Sequence, residues 1–293
     1  MDEPAKTNSK ISPEDTVQGP RVFHGTMGRI FFFFAAAASG YHLLTAGFGT
    51  PEAMIHRAIH LSFIFPLIFA FYAFRRGAPR DRLQWIDTAS ILAPFAFCFY
   101  VIWGYERLAW RFPYTDPVTL PDKILAALAI VLTLEATRRT VGWALVILAL
   151  AFLGYALLGG YLPGYLAIKA VSPSLLLEHL YMVPEGIFGS MTGLSSTFVY
   201  LFILYGAFLK FSKAGDFFIN FALAFVGRAR GGPAKVAIFA SCLFGTMSGS
   251  AVANVFGTGT FTIPLMKRIG YRRPFAGAVE AAASTGGQIM PPV

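Results

Sequence analysis

Apolar runs that approach or exceed 18 residues, separated by short charged or proline-bearing links, set the strongest limit on how this 293-residue chain can fold. A helix rises about 1.5 Å per residue and needs about 20 apolar residues to cross the hydrocarbon of a bilayer. Charged residues make up 13% of the chain, half the share of about a quarter typical of soluble domains. Mean hydropathy is +0.59. A soluble enzyme, a disordered tail and a disulfide-stapled secreted domain all fit poorly. The fold class expected is an all-α polytopic membrane protein.

Residues 1–20 are polar, with Pro4, Pro13 and Pro20, and read as a tail rather than a signal peptide. Six spans are then expected at 28–48, 57–74, 86–104, 122–137, 140–160 and 196–211. A Gly/Pro-bearing stretch, 161–195, separates the last two. Residues 214–227 place Phe217, Phe218, Phe221 and Phe225 near helical spacing, which suits an interfacial helix. Apolar character resumes at 236–266, and a further segment begins at 274–290.

The formal net charge of +9 could suggest nucleic acid, but its distribution follows membrane topology. With the N-terminus in the cytoplasm and each span crossing once, 19 of the 24 Lys and Arg fall on the cytoplasmic side, as the positive-inside rule requires. Nucleic acid is therefore not an expected partner. Segment 236–266 is the exception to single crossings. Arg228, Arg230 and Lys235 precede it, and Lys267, Arg268, Arg272 and Arg273 follow it, so both ends belong on one side. Two full crossings need about 40 residues; this segment has 31. A re-entrant helical hairpin fits this pattern, and a single long tilted span is the alternative.

The hairpin contains GTMSGSAVANVFGTGT, Gly245–Thr260. Its glycines are poor helix formers, and Ser248, Ser250, Asn254, Thr258 and Thr260 carry oxygen ligands. Backbone can break in mid-membrane only where protein or a polar cavity receives its freed groups. Freed carbonyls suit a bare cation, and freed N–H groups suit an anion. Close helix packing through small residues is the competing reading. A second candidate break lies in EAAASTGGQIMPP, 280–292, where Gly286, Gly287, Pro291 and Pro292 should unwind a helix beside Ser284, Thr285 and Gln288. Glu280, an acid in or near a span, reads either as a functional group or, the reading slightly favoured, as a partner of Arg272 or Arg273 near the cytoplasmic edge.

Other residues take plainer roles. Cys98 and Cys242 read as small core residues. His56 and His60 are spaced i, i+4, but no third ligand lies near in sequence, so no metal site is expected. Glu135 should pair with Arg138 or Arg139. Trp85, Trp103, Trp110 and Trp143 fall near span ends, as interfacial anchors do. No phosphate-binding loop and no nucleophile–base set is present, so neither ATP hydrolysis nor any enzyme activity is expected.

At Ser248–Tyr271 and Ala276–Val293 the sequence resembles the membrane permease of tripartite ATP-independent periplasmic (TRAP) transporters. LEATRRTVGWAL, Leu134–Leu145, resembles the fused form, in which a small four-helix subunit precedes the large one. The resemblance implies a sodium-coupled secondary transporter in the bacterial inner membrane that imports organic acids, often carboxylates. It implies delivery by a periplasmic binding protein of the TAXI type and no cofactor beyond Na+ as coupling ion. It also implies half of an inverted-repeat elevator fold. Residues 1–27 would be a cytoplasmic tail, 28–138 the small-subunit-like helices, 139–195 a connecting span and periplasmic docking stretch, and 196–293 the start of the transport region. Sodium would be held by Ser248, Gly249, Ser250, Asn254, Thr285 and Gly286, and substrate by Ser250, Ala251, Gly287, Gln288 and Pro291. The family's second hairpin has no counterpart before Val293, so a fragment of a longer permease is expected. A non-transporting docking subunit is the alternative.

Overall fold

The computed structural model describes residues 21–75, 82–169, 171–211, 224, 231–248 and 251–289. All regular structure among them is helical. The chain divides into two compact units, residues 1–193 and 194–293.

In the first unit the helices are α1 (Gly25–Phe48), α2 (Ala53–Phe71), α3 (Trp85–Trp103), the short α4 (Tyr105–Ala109), α5 (Leu120–Thr140), α6 (Trp143–Leu158) and α7 (Pro173–Tyr181). Three of these, α1, α2 and α3, and the stretch Trp143–Tyr161 are long and apolar enough to cross a membrane. The sixth expected span runs as α8 (Ser190–Leu194), a π-helical turn (Ser195–Val199) and α9 (Tyr200–Phe211). Helix α5 is 21 residues long, but Asp122, Lys123, Glu135, Arg138 and Arg139 all lie within it. The interfacial helix expected at 214–227 lies outside the described residues apart from Ala224.

The core of this unit sits where α2, α3, α5 and α7 meet, with Phe65, Phe69, Phe97, Tyr181 and Phe188 at its centre. Helix α7 lies inside the stretch that the sequence marks with glycines and prolines. Pro173 opens it at a position where a missing N–H costs nothing, and the Ser172 side chain accepts from Leu175 N–H. Tyr181 then donates to the Phe97 carbonyl at 2.7 Å. Burial pushes the Tyr181 hydroxyl well above its ordinary pKa, so it remains a donor.

Charge closes both ends of this apolar bundle. At one end, Asp122 accepts from Arg107 and from Tyr100, both on the α3–α4 side, and from Thr119 in a capping box. Arg111 pairs with Glu178 of α7 at 3.0 Å. At the other end, Asp87 pairs with Arg21 and Arg139, while Glu135 pairs with Arg138 and Arg139. The Glu135 pairing read from sequence is thus present with both arginines. Trp85, Trp103 and Trp143 occupy the first or last positions of their helices and are exposed.

The second unit contains α9, then α10 (Gly232–Ser248), α11 (Ala251–Arg268) and α12 (Arg273–Thr285), followed by a 3-10 turn, Gly286–Gln288. Helices α10 and α11 fold back on each other. Gly257 faces Phe244, Asn254 reaches Ser241, and Met266 and Ala237 share one cluster, a pairing that runs antiparallel.

Candidate functional site

The region Gly245–Thr260 is expected to be broken, and its glycines turn out to divide by role. Helix α11 continues without interruption through Gly257 and Gly259. A Cβ on Gly257 would lie 2.4 Å from the Phe244 ring, and one on Gly259 would lie 3.0 Å from Glu280 Cγ. These two glycines are spaces for neighbouring side chains, so the packing reading holds for them. Helix α10 is described to Ser248 and α11 from Ala251; residues 249–250, between them, lie outside the described residues.

Polar side chains line one face of α11 at every fourth position: Asn254, Thr258 and Thr262. Glu280 and Ser284 do the same on α12. All five are buried, as is Ser241 of α10. Residues four apart share a helix face, so the two stripes meet. Glu280 Oε1 accepts from Thr258 at 2.5 Å and from Ser284 at 3.3 Å, and its Oε2 accepts from Thr262. Asn254 Nδ2 donates to the Ser241 carbonyl at 2.9 Å. Ser241 Oγ and Ser284 Oγ lie 3.3 Å apart. Three helices therefore converge on one neutral-donor network around a single carboxylate.

This corrects the expected pairing of Glu280. Its carboxylate meets three hydroxyls and neither Arg272 nor Arg273. Those arginines stand at the start of α12, seven and eight residues earlier, roughly 10–12 Å along the axis.

Among the proposed sodium ligands, Asn254 is fully buried, with its amide nitrogen committed to Ser241 and its Oδ1 3.4 Å from Thr258 Oγ1. Thr285 is exposed, and its hydroxyl returns to the Ala281 carbonyl at 2.8 Å. Gly286 begins the 3-10 turn, where α-helical bonding stops. That turn packs beside α10 and α11, so the hairpin and the end of α12 are brought together. Ser248 ends α10; Gly249 and Ser250 lie outside the described residues. For substrate, Ala251 opens α11, Gly287 and Gln288 lie in the turn, and Pro291 is outside the described residues. Ser241 and Thr262 were not singled out by sequence. The spacing of Asn254, Thr258 and Thr262 against Glu280 and Ser284 was the available signal.

A smaller polar cluster lies in the first unit. His42 joins His56 and His60, although it is 14 to 18 residues away in sequence. His42 Nε2 is 2.8 Å from His60 Nδ1, and the Tyr41 hydroxyl is 2.9 Å from His56 Nδ1. No group among the described residues has the arrangement needed to hold a metal ion. Cys98 is buried in the core, Cys242 is half-buried, and neither forms a disulfide.

The sequence pattern of the family described as "Tripartite ATP-independent periplasmic transporter, DctM component" matches residues 128–293, more than half of the chain. The chain belongs to this family. TRAP permeases are transporters, not enzymes. The C4-dicarboxylate TRAP transporter large permease protein DctM of Pseudomonas aeruginosa is 40% identical over 91 residues, 31% of this chain and 21% of that protein. The sialic acid TRAP transporter large permease protein SiaM of Vibrio cholerae is 37% identical over 91 residues, with the same coverage. A putative TRAP transporter large permease protein of Haemophilus influenzae is 30% identical over 127 residues, 42% of this chain and 32% of that protein. The chain thus spans about a fifth to a third of the length of these relatives. No solved structure matches it significantly. Family membership and several apolar helices make this a multi-pass membrane protein.

Proposed function

We propose that the chain is the permease component of a sodium-coupled secondary transporter that imports organic acids, carboxylates in particular, handed over by a periplasmic binding protein of the TAXI type. The observation that carries the reading is the junction of α10, α11 and the end of α12. There, buried polar groups from a helical hairpin meet a helix that loses α-helical bonding at Gly286. Such an end leaves backbone carbonyls without helical partners, which suits a dehydrated cation beside Asn254. In this reading Ser248, Gly249, Ser250, Asn254, Thr285 and Gly286 hold sodium. Ser250, Ala251, Gly287, Gln288 and Pro291 form one wall for the substrate carboxylate. The hairpin is re-entrant, entering and leaving on one face.

The substrate class is supported by relatives named for C4-dicarboxylate and sialic acid. The fused organisation, with 28–138 acting as the small subunit, is supported by the family match beginning only at residue 128. Location in the bacterial inner membrane with a cytoplasmic N-terminus is supported by the distribution of Lys and Arg.

The test is uptake of labelled carboxylates into proteoliposomes with a purified TAXI-type binding protein. An inward sodium gradient should drive uptake, and Asn254→Ala should raise the sodium needed at least tenfold. Equal uptake with potassium in place of sodium would overturn the coupling.

A further inference from the structure

Among the described residues, the ion-pair network at one end of the first unit has more positive than negative groups. Arg21, Arg138 and Arg139 face Asp87 and Glu135, so three guanidinium groups meet two carboxylates. Arg21, Arg139 and Asp87 are buried. An uncompensated charge in such a place is costly. Arg139 spends its donors on Glu135, Asp87, Ser90 and the Phe69 and Tyr72 carbonyls. Arg138 differs. Its Nε and Nη2 bond Glu135 at 2.7 Å, and Nη2 also bonds the Phe74 carbonyl at 2.9 Å. Its Nη1 has no hydrogen-bond partner among the described residues. The guanidinium carbon lies over two rings, 4.9 Å from the Phe74 centroid and 5.6 Å from that of Trp143. One charged edge is therefore fixed in orientation and left open.

Arg138 also lines a cavity of about 360 Å³, with Ser90, Glu135 and Arg139 as the other polar walls and apolar ones that include Val131, Leu134, Trp143, Val146 and Leu150; Glu135 is already committed to both arginines. Val131 is 61% exposed, and α6 buries only Val146. The arrangement pairs an apolar groove with a cationic edge and an indole at a helix end, the place where tryptophans meet lipid headgroups. A guanidinium fork matches a phosphate.

We propose that this groove binds one anionic glycerophospholipid, with its phosphate on Arg138 Nη1 and an acyl chain along Val131, Leu134, Val146 and Leu150. The open guanidinium edge of Arg138 favours a net-anionic lipid. A zwitterionic one would bring a second cation beside Arg138.

The test uses the full chain in detergent, equilibrated with equal amounts of phosphatidylglycerol and phosphatidylcholine, and native mass spectrometry of the lipid it retains. Phosphatidylglycerol should be retained at least fivefold over phosphatidylcholine. Arg138→Gln should cut that retention at least fivefold. Val131→Trp narrows the groove while keeping Arg138 and should do the same, so it decides the matter alone if Arg138→Gln does not fold. Arg29→Gln, an exposed cation elsewhere, should leave retention unchanged. Equal retention of the two lipids would overturn the proposal, as would wild-type retention of phosphatidylglycerol by Val131→Trp.

Discussion

The two units bury polar groups in opposite ways. The first places full charges at the ends of its bundle, where Asp87 meets two arginines and Asp122 and Glu178 each meet one. Its middle is left to aromatic and aliphatic side chains, phenylalanine and alanine foremost, apart from the histidine cluster. The second places hydroxyls and an amide along the middle of its helices, around the one carboxylate of Glu280. Guanidinium–carboxylate pairs fix helix ends in one geometry and resist rearrangement. Small hydroxyls with glycines between them let three helices approach closely, and each bond is individually modest. The first pattern suits a rigid frame. The second suits a site that must exchange partners.

Substitutions at the two patterns should therefore differ in size. The largest effect is expected for Asp87→Asn, which leaves Arg21 and Arg139 buried without their shared partner. Loss of one member of a buried pair costs about 3–5 kcal/mol, and thermal unfolding in detergent should begin on the order of 10 °C lower. If Asp87→Asn unfolds like wild type, the frame does not depend on these pairs. In the second unit, Gly257→Ala forces a methyl into the Phe244 ring. Overpacking of this kind costs about 1–3 kcal/mol. Adding Phe244→Ala should restore much of the lost stability, and failure of that rescue would deny the packing role of the glycine.

Thr262→Val keeps the shape of the side chain and removes one donor to Glu280. A loss of about 1–2 kcal/mol is expected, and the Thr258→Val, Thr262→Val double variant should lose less than the sum, because both act on one carboxylate. Additive losses would mean that the two threonines are independent. The smallest change is expected for Tyr181→Phe, which deletes a single hydrogen bond to the Phe97 carbonyl, about 1 kcal/mol by chemical denaturation.

Helix positions were readable from the sequence because apolar runs and their polar links report directly on what a bilayer accepts. The first three spans and the stretch from Trp143 have ends within a few residues of those expected. Helix α7 was hidden by Pro173, since a proline reads as a breaker until Ser172 is seen capping the turn that Pro173 begins. The candidate site was partly legible. Asn254 and Ser284 lie in conspicuous polar motifs and do converge, through Ser241. Ser241 is a lone small polar residue until the facing helix supplies its partner, and Thr262 is legible only as the third member of the four-residue spacing that begins at Asn254. Glu280 was assigned the wrong neighbours by nearness in sequence, whereas two turns of helix separate it from Arg272 and Arg273. His42 could not be linked to His56 and His60 by spacing, since only the packing of α1 on α2 joins them.

The central claim is that the junction of α10, α11 and the end of α12 is a sodium site. It is tested most directly by thermal unfolding of the purified chain in sodium and in potassium chloride at equal ionic strength. Sodium should raise the midpoint of the wild-type chain in a concentration-dependent way, and Asn254→Ala should remove that rise while still folding. Identical midpoints for the wild-type chain in the two salts would contradict the claim.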